Sequence, residues 1–492
     1  MVRGMNVLFV SSEVAPFAKA GGLGDVAAAL PRHLRALGHD VRVFLPLYAR
    51  VEEKGYDLTE VVPEILFPLG RHQVRVSIYR APLPGSDVPV YFVRCPALYD
   101  RPSIYGEGGD EHLRFAALSW AALLACKALA FAPDIAHVHD WQTALVPLLL
   151  RTRFANDPLF ARTRSLLTIH NLGHQGTIDA RLLPETGLAA VADQFHQDDL
   201  KAGRLGFLTT GILHANAITT VSPTYAREIQ TPEHGVGLDG LLRQRGDVLF
   251  GILNGIDENE WSPERDIHFK HHFSAANLEG KERCKRDLLA LAGLPYRREV
   301  PVFAIVSRLV WQKGFDLCQG VLPGLLQRRG FQLVVLGTGE PRYTQFFAQL
   351  ARQFPRQVAF AAEFNEARAH LIEAGADLFL MPSRYEPCGL NQMYSLRYGT
   401  VPVVHKTGGL ADTVWQYDER TRRGTGFAFE HFDEEGLAWA INRAMHVWGT
   451  GAGAERERWI ELQRNGMRLP LGWGHRIGEY VSLYRRLAPE AA

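Results

Sequence analysis

Short, unbroken apolar runs recur along the chain, each followed by a polar or glycine-rich turn and then by a helical pattern. Residues 6–11 (NVLFVS) form the first run. A strand buried on both faces has no wet face, so it reads as continuous apolar sequence. Residues 25–37 (DVAAALPRHLRAL) then read as a helix despite Pro31, with Gly38 suited to its C-terminal end. Residues 41–46 are the next predicted strand, and the same grammar returns at 135–138, 165–169 and 217–221. A second series starts after Asn254, with strands predicted at 302–306, 332–336, 357–361, 378–381 and 401–404. Strands alternating with helices predict an α/β fold with parallel sheets covered on both faces. Its ligand loops then lie at the carboxyl ends of the strands.

An internal echo sharpens the architecture. Residues 19–25 read KAGGLGD and residues 406–412 read KTGGLAD, each after an apolar strand and at the start of a helix. Two related Rossmann-like domains explain the echo better than coincidence does, and both loops are then expected to face one deep cleft. The crossing point is expected near residues 255–263 (GIDENEWSP).

Composition agrees and excludes some alternatives. A chain of 492 residues that is 47% hydrophobic exceeds a single core. With Lys+Arg 54 against Asp+Glu 53, the net charge of +1 provides no field for nucleic acid or an acidic membrane. The cysteines at 95, 126, 284, 318 and 388 are odd in number and have no metal-ligand spacing, as in reduced, cytoplasmic proteins. The opening MVRGMNVLFVSSE reads as a buried first strand and not as a signal sequence. The longest apolar stretch, 115–126, is too short to span a bilayer. No C-x-x-C or Walker loop occurs, and no metal and no P-loop ATPase is expected.

Several strand-end motifs carry candidate chemistry. The glycines at 21, 22 and 24 let a ligand approach the backbone, and the helix start favours an anion. Lys19 on that loop then suits a phosphate or sugar oxygen. Residues 22–27 (GLGDVA) also fit a dinucleotide pattern, but the acid expected after the second strand is replaced by residues 45–47 (LPL). A nicotinamide-linked oxidoreductase is therefore disfavoured. Arg308 and Lys313 near one strand end suit a diphosphate, Arg as a fork and Lys as a point charge. Glu386, between Tyr385 and Pro387, can oppose positive charge on a sugar ring or bind hydroxyls, and could otherwise simply cap the next helix. Cys388 invites a nucleophilic reading, yet buried cysteine is more often inert packing. Asp140, His170 and Asn171 hang polar groups at two further strand ends, though a lone histidine is more often a satisfied core residue. The turn at 338–341 (TGEP) is given no role.

Taken together, KAGGLGDV, HVHDWQTA, TIHNLGHQG, GILNGIDENEW, SRLVWQKG, PSRYEPCGLNQ and KTGGLADTV, in that order, resemble the bacterial glycogen synthase and starch synthase family nearly end to end. The resemblance implies a GT-B fold: residues 1–255 as an acceptor-side Rossmann-like domain, 256–474 as the donor-side domain, and 475–492 as a helix returning to the first. It implies retaining transfer of glucose from ADP-glucose to the non-reducing end of an α-1,4-glucan, with no metal or other cofactor. The implied partners are a nucleotide-sugar donor and a glucan acceptor, with no nucleic acid and no membrane.

The resemblance also implies residue roles. Lys19 touches the donor's phosphate and glucose region, and Arg308 and Lys313 hold the diphosphate. Glu386 is the carboxylate nearest the reacting glucose. His170, Asn171 and Asn254 position that glucose, and Asp140 lies towards the acceptor. Gly408, Gly409 and Leu410 cradle phosphate through their N–H groups. Glu13, Gly22 and Asp25 order the first glycine loop or contact the donor, and Tyr385 and Cys388 line the Glu386 loop. Tyr394 stands where related sugar transferases often carry a ribose-binding acid, so no ribose contact is assigned. A glucosyltransferase using UDP-glucose or a small acceptor, such as a sucrose- or trehalose-forming synthase, and a non-catalytic glucan-binding protein remain alternatives.

Overall fold

The computed structural model describes residues 4–106 and 108–491. The reading of the extreme N-terminus as no signal sequence rests partly on residues 1–3, which lie outside the described residues. The chain divides into two units. One contains the chain up to Asn254 together with the segment from Trp473, and the other is Gly255–Gly472.

Among the described residues, the first unit carries eleven strands: β1 Asn6–Val10, β2 Asp40–Pro46, β3 Thr59–Leu69, β4 His72–Pro82, β5 Pro89–Arg94, β6 Ile135–His139, β7 Arg164–Ile169, β8 Thr177–Asp179, β9 Arg204–Gly206, β10 Ala217–Thr220 and β11 Leu249–Gly251. Nine of them form one sheet in the order β11-β10-β7-β6-β1-β2-β5-β4-β3, and β8 pairs with β9 alone. The sheet is parallel except where β3 and β4 join it antiparallel. The apolar runs at 6–11 and 135–138 become its centre: β1 pairs with both β2 and β6, and every residue of β6 is buried. The β3–β4 hairpin went unread in the sequence. Its signal was alternation, with Val74, Val76 and Ile78 buried on one face of β4 while Arg75 points out.

The second unit has β12 Val302–Val306, β13 Gln332–Leu336, β14 Val358–Ala361, β15 Leu378–Met381, β16 Val401–His405 and β17 Phe427–Phe429. They form an all-parallel sheet in the order β14-β13-β12-β15-β16-β17. Helices such as Phe315–Arg328 and Glu434–Trp448 bury apolar faces (Leu322, Leu326; Leu437, Ile441) in a core with the strand residues Phe303, Leu333 and Leu380.

The C-terminal helix Ile477–Leu487 belongs to the first unit. It buries Ile477, Tyr480 and Tyr484 in that unit's core, and the Tyr484 hydroxyl lies 2.7 Å from Nδ1 of His137 in β6. The first helix spans Gly22–Ala36, so helical hydrogen bonding begins inside the glycine loop and not at Asp25. Pro31 sits within that helix, where it is buried.

Candidate active-site residues in each unit

The large sheet of each unit has one point where the strand order reverses. In the second unit it lies between β12 and β15, and in the first between β6 and β1. Crossovers leave such a point in opposite directions, which opens a crevice at the carboxyl ends of the strands.

In the second unit, Arg308 leaves β12 and the segment 382–389 leaves β15. The Arg308 side chain is exposed and makes no hydrogen bond or ion pair with any described residue. Lys313 ends a short 3-10 turn, Trp311–Lys313. Its Nζ lies 2.6 Å from Oε2 of Glu386, which also accepts from Ser383 Oγ at 2.9 Å. Glu386 is 6% exposed, so this carboxylate is held from two sides in a low-dielectric setting.

The turn at 338–341, assigned no role from sequence, supports this loop. Trp311 N donates to Glu340 Oε1 at 2.7 Å, and Leu309 N donates to Thr338 O at 2.7 Å. Gln312 Nε2 reaches Tyr385 O at 3.3 Å and Arg384 N reaches Gln312 O at 2.9 Å, so the Arg308 and Glu386 loops are laced together.

The second glycine motif works differently from the expected phosphate cradle. Gly409 N–H donates to Glu386 O at 3.1 Å and Pro387 O at 3.2 Å, and Leu410 N–H donates to Thr407 O at 3.0 Å. These two N–H groups are therefore engaged within the protein. What the glycines supply is close approach. Gly408 has φ +44°, and a Cβ there would sit 1.9 Å from Glu386 O; one on Gly409 would sit 2.0 Å from Cys388 O. Cys388 is buried and forms no disulfide. Tyr394 is buried, with its ring stacked 3.7 Å from that of Trp261.

In the first unit, Glu13 follows β1. Its Oε2 accepts from the N–H of Ala20 at 2.6 Å and of Gly21 at 2.9 Å, while Oε1 accepts from the Tyr105 hydroxyl at 2.6 Å. The residue is buried, and its carboxylate ties the loop at Ala20 and Gly21 to Tyr105. Tyr105 had no sequence signal. Above Glu13, Lys19 Nζ lies 2.6 Å from Asp25 Oδ1, and both side chains remain partly exposed. Gly22 opens the helix beside them.

Asp140 follows β6 in a left-handed backbone conformation, φ +54°. Its Oδ1 accepts the N–H of His170 at 2.7 Å and that of Asn171 at 3.4 Å, so it fixes the backbone beyond β7. Burial pushes the Asp140 carboxyl up to about 7, although those two N–H groups pull it down. Burial drives His170 down to about 3 and His139 well below its ordinary value, so both rings are neutral. His139 Nδ1 lies 3.0 Å from His170 Nε2. Asn254, beyond β11, is buried with Oδ1 unpartnered among the described residues. No hydrogen bond among those described ties it to His170.

Two groups elsewhere in the second unit bring possible ligand atoms within 4.8 Å of one another: Asp266, His268 and His370, and Glu260, Glu366 and His370. Within the first, Asp266 Oδ2 is already engaged by His370 Nδ1 and the Tyr398 hydroxyl. Among the described residues, no helix is long and apolar enough to cross a membrane.

Residues 6–244 match the family described as Starch synthase catalytic domain, and residues 293–465 match Glycosyl transferases group 1. Two Rossmann-like units with charged groups at their strand switch points thus define a GT-B glycosyltransferase. The chain is 46% identical to a glycogen synthase of Anaeromyxobacter dehalogenans over 99% of its length and 100% of the relative's. It is 43% identical to the Thermotoga maritima glycogen synthase, over 98% and 99% of the two chains. The catalytic domain of starch synthase IV from Arabidopsis thaliana, solved with ADP and acarbose, superposes with a TM-score of 0.89 at 35% identity, covering 99% of this chain and 100% of that one. The chain belongs to the glycogen synthase and starch synthase family.

Proposed function

We propose that the protein elongates glycogen by moving glucose from ADP-glucose to the non-reducing end of an α-1,4-glucan, with retention at the anomeric carbon and without a metal. The observation that carries this reading is the second unit's charge arrangement: Arg308, without a side-chain partner among the described residues, and the Lys313–Glu386 pair, both on loops that leave the strand switch. As the C1–O bond breaks, negative charge builds on the departing diphosphate and positive character on the ring. Arg308 offers a fork to the first. Lys313 keeps two further N–H donors beyond the one on Glu386, and it shares the first task. Glu386 opposes the second.

Lys19, Gly22 and Asp25 are proposed as donor contacts, with Glu13 ordering their loop. His170, Asn171 and Asn254 position glucose, and Asp140 faces the acceptor while holding the His170 backbone. Tyr385 and Cys388 shape the Glu386 loop, and Gly408, Gly409 and Leu410 hold that loop in place. Retention with a single well-placed carboxylate suits attack on the face the phosphate leaves, with that phosphate taking the acceptor's proton. The ADP-bound plant relative supports an adenine nucleotide. Five cysteines that form no disulfide among the described residues support a reducing, cytoplasmic setting.

The test is glucose incorporation into glycogen from ADP-glucose and UDP-glucose in parallel, with a chelator present, and product anomers read by NMR. ADP-glucose turnover giving α-linked product is expected. Preference for UDP-glucose overturns the donor assignment, loss of rate with the chelator overturns the metal-free assignment, and no incorporation from either donor overturns the reaction.

A further inference from the structure

His139 precedes Asp140 at the end of β6, and the roles proposed above do not use it. It is fully buried at the end of β6, with the rings of Phe9 and His137 each 4.2 Å from its own. Its Nδ1 stands 3.0 Å from Nε2 of His170. Two bare ring nitrogens do not face each other at that distance, so one N–H lies between them. Burial keeps both rings neutral, which leaves two assignments.

If His170 donated, neutral His139 would carry its proton on Nε2. That nitrogen is buried and has no hydrogen-bond partner among the described residues. A buried N–H without an acceptor is the rarer and costlier defect, whereas an acceptor lone pair among aromatic rings is better tolerated. If His139 Nδ1–H donates instead, its Nε2 is such a lone pair. His137 does not compete for the bond, because its Nδ1 meets the Tyr484 hydroxyl at 2.7 Å and its Nε2 meets Thr168 Oγ1 at 2.6 Å.

We propose that His139 is a positioning residue for glucosyl transfer: its Nδ1–H donates to His170 Nε2, which holds His170 as the tautomer protonated on Nδ1 and offers that N–H to the sugar. The proposal rests on the reading of His170 as a glucose-positioning residue. With its ring fixed by His139 and its backbone N–H fixed by Asp140 at 2.7 Å, His170 presents one neutral donor in one orientation. A neutral donor fits a sugar hydroxyl without placing a second cation near the developing oxocarbenium character.

The experiment uses the full chain in two measurements. In a nitrogen-15 correlation spectrum of histidine-labelled protein, the His170 signal (identified by its loss in His170→Ala) is expected to show a proton on Nδ1 and none on Nε2. In donor kinetics, His139→Phe keeps the buried shape but removes the donor, and is expected to lower kcat/KM roughly ten-fold or more. His139→Asn, whose amide N–H replaces Nδ1–H, is expected to recover most of that loss. A His170 proton on Nε2 in the unmodified protein overturns the proposal whether or not the variants fold. So does full activity in a folded His139→Phe when His170→Ala is impaired. Full activity in His170→Ala defeats the parent reading of His170, and with it the catalytic role of His139; the spectrum still reports the hydrogen bond separately.

Discussion

Lys313 Nζ lies 2.6 Å from Oε2 of Glu386, across 73 residues of sequence. The pair joins the loop after β12 to the loop after β15, two strands that are neighbours in the sheet at its switch point. Opposite charges on adjacent strand ends hold each other in register while leaving donors on the lysine for a ligand.

Glu386→Gln keeps the shape and the acceptor towards Lys313 and Ser383 but removes the charge. Turnover is expected to fall by roughly a hundred- to a thousand-fold, with the melting temperature nearly unchanged. Glu386→Ala also strands the lysine and is expected to cost about 1–3 kcal/mol of stability. Glucose incorporation and thermal unfolding, measured on both variants, separate the two effects. Undiminished turnover in Glu386→Gln would remove the carboxylate from the mechanism.

Gly409→Ala brings a Cβ to 2.0 Å from Cys388 O, so the Glu386 loop must move. Overpacking of this kind costs about 1–3 kcal/mol. Activity is expected to drop further than stability does, because the displaced segment carries the carboxylate. A kinetic comparison with Gly330→Ala, where a Cβ meets nothing within 4 Å, is the control.

Glu13→Ala releases the N–H groups of Ala20 and Gly21 together. Hydrogen exchange over residues 14–25 is expected to quicken and KM for the donor to rise, with kcat less affected. Glu13→Gln can turn its oxygen to the two N–H groups and its amide to the Tyr105 hydroxyl, so an intermediate effect is expected. Unchanged exchange in Glu13→Ala would show that the loop does not depend on this carboxylate.

Asp140 gives a pH signature. Its carboxyl is raised from an ordinary 3.8 to about 7 by burial, so the folded protein holds a proton there that the unfolded chain releases. Stability contributed by that proton is present below about pH 4 and is lost as pH rises towards 7. Asp140→Asn keeps an acceptor for the His170 N–H and suits a left-handed backbone, yet has no charge to bury. Its melting temperature, taken as the difference from the unmodified protein, is expected to climb between pH 4 and pH 8, at roughly 2–4 °C per kcal/mol. A difference independent of pH would rule out the buried, titrating carboxyl.

Much of this was legible in the chain itself. Strands buried on both faces are apolar throughout, so β1, β6, β7, β12, β13 and β15 announced themselves, as did the motifs at their carboxyl ends. The hairpin β3–β4 was readable only by alternation, and it sits beyond the site. The similar segments KAGGLGD and KTGGLAD each open a helix, the first after β1 at its sheet's switch point and the second after β16, beyond the switch point of its own sheet. Their hydrogen bonding nonetheless differs: the first hangs its N–H groups on the Glu13 side chain, while the second gives the Gly409 N–H to the backbone oxygens of Glu386 and Pro387.

The sequence therefore determined the class of fold, the two series of strands and the residue types poised at their ends, because burial and turn chemistry act locally and leave periodic traces. Tertiary structure alone decided the partners: Lys313 with Glu386, Glu340 beneath Trp311, Asp140 under the His170 backbone, and His139 against the His170 ring. Those choices depend on which strands become neighbours and on which donors lose water together, and residues thirty or seventy positions apart leave no local pattern that records either.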